Sequence, residues 1–155
     1  MPGYGTLGPD QGTGLLPWSW AEERLARSHD YWLASVTAAG HPHLMPVWAV
    51  LFRDELWFSS SRSSRKARNL LAHPYCSLAT QEPLEPVVVE GPARLVTDAA
   101  ALTAALDAEN SKYGTSYGPE WIDQERVSWF ALAPERVFGL DSEDFAGSPT
   151  RWQFA

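Results

Sequence analysis

The 155 residues contain one cysteine, Cys76, which excludes an internal disulfide and any thiolate-rich metal site and fits a reducing compartment. No apolar run reaches membrane-spanning length, and the opening MPGYGTLGPDQGTGLLPW lacks the basic start and apolar stretch of a signal peptide. The expectation is therefore a cytoplasmic protein. Positive charge is also scarce: 12 Lys and Arg against 19 Asp and Glu leave a net charge of −7, which argues against non-specific binding to nucleic acid or acidic membranes. There are no internal repeats and no G-x-S-x-G nucleophile elbow, so His29 with Asp30 does not read as part of a hydrolytic triad. His41 and His43 have a one-apart spacing but no further recognisable ligand nearby, so no metal site is assigned.

What the chain does have is apolar mass, 45% of its residues, with 8 Trp, 6 Phe and 5 Tyr. That is enough for one self-supporting core at this length. Residues 1–17, with their glycines and prolines and no periodicity, read as an N-terminal arm, leaving 18–155 as the folded domain.

Ser19 and Glu22 are spaced as a capping box opening a short helix that buries Trp20, Leu25 and Ala26 and ends near Asp30. Tyr31 to Thr37 reads as a strand, Ala39 to His41 as a glycine-centred turn, and His43 to Phe52 as one further strand, apolar on both faces. Two-sided burial predicts a barrel wall covered by a helix or by another subunit. Beyond an Arg53–Asp54 turn come a strand from Glu55 to Ser60 and a helix from Arg65 to about Ala72. Strands at Tyr75 to Thr80 and Val87 to Val96 flank the loop QEPLEP, whose prolines cannot sit in a central strand. A helix capped by Thr97 or Asp98 runs to about Lys112, and strands at Ser128 to Ala133 and Arg136 to Leu140 follow. Many strands with two or three helices between them predict an α+β barrel rather than a doubly wound sheet.

The segment LWFSSSRSSRKARNL carries the clearest chemistry. Four of the 12 basic residues, Arg62, Arg65, Lys66 and Arg68, fall in it, so an acidic chain holds one concentrated cationic spot. A strand ending in serines passes into a helix whose first turn holds Arg65 and Lys66, and free helix N–H groups, the hydroxyls of Ser59, Ser60 and Ser64 and two cations suit a phosphate. The spacing alone is equally compatible with a solvated, basic helix start. Cys76 lies in an apolar strand without a basic neighbour and reads as a packed thiol.

On these residues the sequence resembles the pyridoxamine 5′-phosphate oxidase family and the related deazaflavin-dependent reductases. FSSSRSSRK stands at the spacing of the family's aromatic-Thr-Asn-x-x-Ser-Arg-Lys motif, with Ser59 and Ser60 at the aromatic-Thr positions and Arg65 and Lys66 at the phosphate-binding pair. The resemblance implies a mostly antiparallel split β-barrel, a homodimer with its site at the subunit interface, and FMN or the deazaflavin coenzyme F-420 as cofactor. It also implies that the ring lies along Met45, Pro46, Val47 and Trp48 and that Arg151, in TRWQF, contacts the cofactor. The family's Arg-x-x-x-x-Lys frame falls on Leu44 to Ala49 without either charge, and its later glutamine falls on Pro86. These departures argue against oxidation of pyridoxamine phosphate itself. The expected function is a flavin- or deazaflavin-dependent oxidoreductase acting on a small organic acceptor, in which the cofactor carries the hydride and no catalytic side chain is assigned. The alternative is a non-catalytic protein that sequesters FMN, haem or another tetrapyrrole.

Overall fold

The computed structural model describes Leu7 and residues 11–154. The first part of the expected N-terminal arm lies mostly outside these residues. The end of the arm is tied down, with Gly14 N–H donating to Gly147 O at 3.3 Å and Leu16 N–H to Thr150 Oγ1 at 2.9 Å.

The first helix, α1, spans Trp18–Arg27. Pro17 occupies its N-cap and makes no side-chain cap, so the predicted capping box is not formed and Ser19 sits inside the first turn. The helix starts earlier than expected because Trp18 packs edge-on against Trp152 and Phe154, with ring centroids 5.6 and 4.8 Å apart. This start buries Ala21 and Leu25 and leaves Ala26 exposed, correcting the expected face. The helix also stops short of Asp30, at Arg27, with Ser28 at the C-cap.

Nine strands follow: β1 (Tyr31–Val36), β2 (Pro42–Val47), β3 (Val50–Phe52), β4 (Glu55–Ser61), β5 (Tyr75–Thr80), β6 (Val87–Val96), β7 (Val127–Leu132), β8 (Arg136–Gly139) and β9 (Thr150–Gln153). Helix α2 (Arg65–Ala72) joins β4 to β5, and α3 (Ala99–Tyr113) joins β6 to β7. The sheet runs β2-β1-β5-β6-β7-β4-β3, and β8 pairs with β6 and β9. All the pairings are antiparallel, giving an α+β split barrel.

The expected single strand from His43 to Phe52 is broken at Trp48 and Ala49. Both backbone groups of Ala49 leave the strand ladder: its N–H donates to the Tyr113 hydroxyl at 2.9 Å, and its carbonyl accepts from Lys112 Nζ at 2.8 Å. Side chains from α3 thus satisfy the backbone that a continuous strand would have paired. The break sends β2 and β3 to opposite ends of the sheet order, so a seam opens between them. Helix α2 packs against β1 and β4 and lies across this seam.

Two cores result. Leu33, Leu56, Phe58, Leu78, Val89, Phe130 and their neighbours fill the barrel, together with Ala67 and Leu70 of α2. On the outside, Val50, Trp57, Trp129 and Ala131 pack against Leu102, Ala105 and Leu106 of α3. The expected two-sided burial therefore holds for β3, β4 and β7, where a helix covers the wall. It does not hold for β2, whose Leu44 is 58% exposed in the single chain.

Strand β6 changes partner along its length. Residues 87–90 pair with β8 and 93–96 with β7, so the link from Ala133 to Glu135 bulges past Gly91. A Cβ on Gly91 would lie 2.0 Å from the Ala133 carbonyl oxygen, a backbone atom that cannot rotate away. Gly91→Ala is therefore expected to cost on the order of 2 kcal/mol, read as a lower urea midpoint at unchanged slope. An unchanged midpoint would mean that the bulge relaxes freely.

Candidate functional site

Helix α2 begins where sequence spacing predicts. Ser64 is its N-cap, and its Oγ accepts from Ala67 N–H at 3.1 Å. Ser60 Oγ lies 2.8 Å from Ser64 Oγ, so strand end and helix start form one hydroxyl pair. Arg65 is exposed and Lys66 half-buried; among the described residues, neither side chain has a hydrogen-bonding or ion-pair partner. Uncommitted cations at a helix N-terminus, beside a pair of hydroxyls, present a site for a phosphate-sized anion.

Ser59 and Ser60 diverge, because successive residues of a strand face opposite sides. Ser60 stands with Phe58 on the barrel side, and Ser59 with Trp57 on the outer side, opposite Trp129. Both border a concavity of about 590 Å³ that is also lined by Arg62, Trp121, Glu120, Glu125 and Arg126. Arg62 donates from Nη1 to the Gln124 carbonyl at 3.1 Å.

Among the described residues, strand β2 has one paired edge, against β1, and one free edge along the seam. Met45 and Val47 face the barrel side, opposite Leu33 and Tyr31, while Pro46 faces outward opposite Trp32. Val47 is buried in the barrel core, so what it can offer a ligand is backbone. Met45 and Pro46 are exposed, and Pro46 is tolerated because the strand lies at an edge. Trp48 is half-buried and stacks on Tyr113, with centroids 4.3 Å apart and planes 6° from parallel.

Arg151 lies on β9, exposed, in a separate depression of about 290 Å³ with Glu90, Arg136 and Phe138. Within one chain it is not brought to α2. It ends a row that crosses the outer sheet face through register pairs: Pro46, Trp32, Ala79, Val88, Phe138, Arg151.

Sequence reasoning missed a buried polar cluster behind Trp48. Lys112 Nζ donates to the Tyr31 hydroxyl at 2.7 Å as well as to Ala49 O, and the Tyr113 hydroxyl donates to the His29 carbonyl at 2.8 Å. Burial raises both tyrosine hydroxyls well above the usual phenol range. Glu109, one turn before Lys112, is 3% exposed with Oε2 lacking a partner, and burial pushes its carboxyl up to about 7. Burial lowers Lys112 to about 8 against the raising influence of Glu109. In sequence, Glu109 and Lys112 look like an exposed i, i+3 pair on an alanine-rich helix, and nothing local signals their burial. Burial likewise pushes the Cys76 thiol up to about 12, in keeping with a packed, unreactive cysteine.

A seam bordered by the free edge of β2 and by the N-terminus of α2 defines the split-barrel class of proteins. The family model described as pyridoxamine 5′-phosphate oxidase matches residues 20–141, and the chain belongs to that family. Among solved structures, a conserved hypothetical protein from Mycobacterium tuberculosis is similar at 23% identity and a TM-score of 0.71, over 82% of this chain and 86% of that one. A heme binding protein from Mycobacterium smegmatis is 22% identical with a TM-score of 0.72, over 89% of this chain and 59% of that one. A structure described as an F420 reductase is 22% identical with a TM-score of 0.62, over 75% of this chain and 94% of that one. No curated protein sequence matches the chain. Among the described residues, no helix is long and apolar enough to cross a membrane.

Proposed function

We propose that this protein is a flavin- or deazaflavin-dependent oxidoreductase, with FMN or F-420 held along the seam and a small organic molecule as acceptor. The observation that carries this reading is the uncommitted Arg65 and Lys66 pair at the capped start of α2, beside the Ser60–Ser64 hydroxyls. In this reading Arg65, Lys66, Ser60 and Ser64 hold the cofactor phosphate, and Ser59 adds its backbone at the rim. The flat ring lies against the free edge of β2 at Met45, Pro46 and Val47, with Trp48 at its end. Unpaired backbone groups on a strand edge match the in-plane donors and acceptors of such a ring. The cofactor, when bound, supplies hydride chemistry; the chain supplies position and excludes water.

The test is a titration of FMN, F-420 and haem, each followed by its absorbance spectrum. Tight binding of either of the first two supports the reading. Tight binding of haem alone would favour the sequestering alternative, towards which the heme-binding neighbour points.

The reading includes a homodimer. Trp32, Val36, Leu44 and Tyr75 are all at least 40% exposed and stand together on the outer sheet face, an apolar patch of the kind that marks a protein–protein contact. A second copy seated there would bring Arg151, at the far end of the same face, toward the β2 of its partner. Sedimentation at micromolar concentration is expected to give twice the 17.2 kDa chain mass, and Trp32→Glu to shift the protein to monomer. A wild-type monomer that binds cofactor would overturn the shared site.

A further inference from the structure

A further cavity, of about 550 Å³, lies at the other end of β4 from α2. It is bounded by the start of α1, the β3–β4 turn, the link from β7 to β8 and the residue after β9. From Glu55, on this cavity, to Ser60, beside the N-cap of α2, the strand advances about 17 Å at about 3.4 Å per residue. None of the residues assigned to the cofactor borders it.

The lining is aromatic on one side and acidic on the other. Trp18 and Phe154 stand with ring centroids 4.8 Å apart and planes at 67°, the setting of two adjacent walls of an aromatic box. Leu51 and Pro134 add apolar surface. Glu22 lies four residues after Trp18, on the same face of α1, so wall and carboxylate arrive together. Asp54 comes from the two-residue β3–β4 turn, in which Arg53 and Asp54 take φ of 53° and 61°, as a type I′ hairpin turn requires. Among the described residues, neither Glu22 nor Asp54 has an ion-pair partner. Glu55 does: Arg94 donates to it from Nε at 3.3 Å and from Nη2 at 2.7 Å. Arg53, the cation on the lining, rests over the Phe52 ring at 4.9 Å.

We propose that this cavity binds an organic cation with a quaternary ammonium head and a short apolar body. Such a head has no N–H to satisfy and needs no oriented acceptor, so π faces and nearby uncommitted carboxylates are what stabilise it. Trp18 and Phe154 supply the π faces, Glu22 and Asp54 the negative potential, and Leu51 and Pro134 the surface for the apolar body. The volume is that of a small-molecule site. An anion is the competing occupant, because Pro17 makes no side-chain cap and leaves N–H groups free at the start of α1. A helix N-terminus carries only about half a unit of positive charge, whereas the lining holds three carboxylates, Glu22, Asp54 and Glu55, against the one guanidinium of Arg53. The balance favours a cation. The inference goes beyond the proposed function and does not rest on it.

The experiment is calorimetric titration of the full chain with phenyltrimethylammonium, choline, 3,3-dimethylbutan-1-ol and benzoate. Both cations are expected to bind saturably, and 3,3-dimethylbutan-1-ol, the uncharged isostere of choline, to bind about tenfold more weakly than choline. Benzoate should not bind. The Glu22→Gln, Asp54→Asn double variant should weaken phenyltrimethylammonium binding by about tenfold, and Asn keeps the turn because it tolerates positive φ. Phe154→Leu should weaken it by about fivefold while leaving the urea midpoint unchanged, since Phe154 is exposed beyond the last strand. Glu143→Gln removes an equal charge from the β8–β9 connection, away from the cavity, and should bind as wild type does. Absence of saturable binding, equal binding of choline and its isostere, tighter binding of benzoate, or full affinity in the double variant or in Phe154→Leu would overturn the site. These titrations need no FMN or F-420, so their outcome is read separately from that of the cofactor titration.

Discussion

Lys66→Ala is expected to weaken FMN or F-420 binding by roughly ten- to a hundredfold, and the Arg65→Ala, Lys66→Ala double variant by about a thousandfold. Charge-assisted hydrogen bonds to a phosphate contribute about 1.5 to 3 kcal/mol each, and neither cation has another partner among the described residues to retain it. Folding should hardly respond, since Arg65 is exposed and the helix start is held by Ser64 Oγ on Ala67 N–H, which both substitutions leave in place. Arg53→Ala is the control for net charge. Arg53 sits in the β3–β4 turn at positive φ, away from α2, and its loss should be nearly silent. Riboflavin is the control for the phosphate: it should bind wild type and Lys66→Ala about equally. If both single variants bind either cofactor as tightly as wild type, the phosphate lies elsewhere and the proposed function fails.

The start of α2, at one end of the candidate site, is legible because its signals are local. A serine at the N-cap, a buried strand ending in hydroxyls, and Pro74 after the last turn each act within a few residues, and α2 runs over the expected Arg65–Ala72. The loop QEPLEP and strands β5 and β6 are legible for the same reason, and the cap of α3, open in the sequence between Thr97 and Asp98, is Asp98. The strand break beside Trp48 is not legible in the sequence. The apolar run through Val47 and Trp48 is locally indistinguishable from an unbroken strand. It breaks because Lys112 and Tyr113, more than sixty residues later, take the hydrogen bonds of Ala49. The start of α1 failed similarly: Trp18 is drawn into the helix by Trp152 and Phe154 at the other end of the chain. Long-range packing overrode local propensity in both places.

The apolar outer face of the sheet is half legible in the sequence. The run from His43 to Phe52 reads as apolar on both faces throughout, but among the described residues only β3 and its neighbours are covered by α3, whereas Leu44, Met45 and Pro46 of β2 are exposed. Burial by a helix and burial by a second subunit leave the same trace in a sequence. The register places Trp32, Leu44 and Pro46 together on one exposed face of the sheet, apart from the residues that pack on α3.

Glu109→Gln is expected to stabilise the protein at neutral pH by about 1 to 3 kcal/mol and to leave it little changed near pH 4. The folded-state pKa of Glu109, about 7, lies above its ordinary value of 4.5, so folding favours the protonated acid. Its contribution is fully present below 4.5 and is lost as pH rises from 4.5 through 7, where the unfolded chain has already ionised and the folded one resists. Lys112 behaves in the opposite sense. Its pKa is lowered from 10.5 to about 8, so its contribution is present above 10.5 and is lost as pH falls toward 8. The two charges meet in the folded state between about 7 and 8, and there the cluster is least stabilising even though Glu109 and Lys112 attract each other. Replacing the carboxyl by an amide removes the acidic limb of this dependence. Urea unfolding from pH 4 to pH 8 should show the difference between Glu109→Gln and wild type opening above pH 4.5 and levelling near 7. A difference independent of pH would mean that Glu109 reaches water in solution and titrates as an ordinary carboxylate, and that the cluster behind Trp48 is looser than its geometry implies.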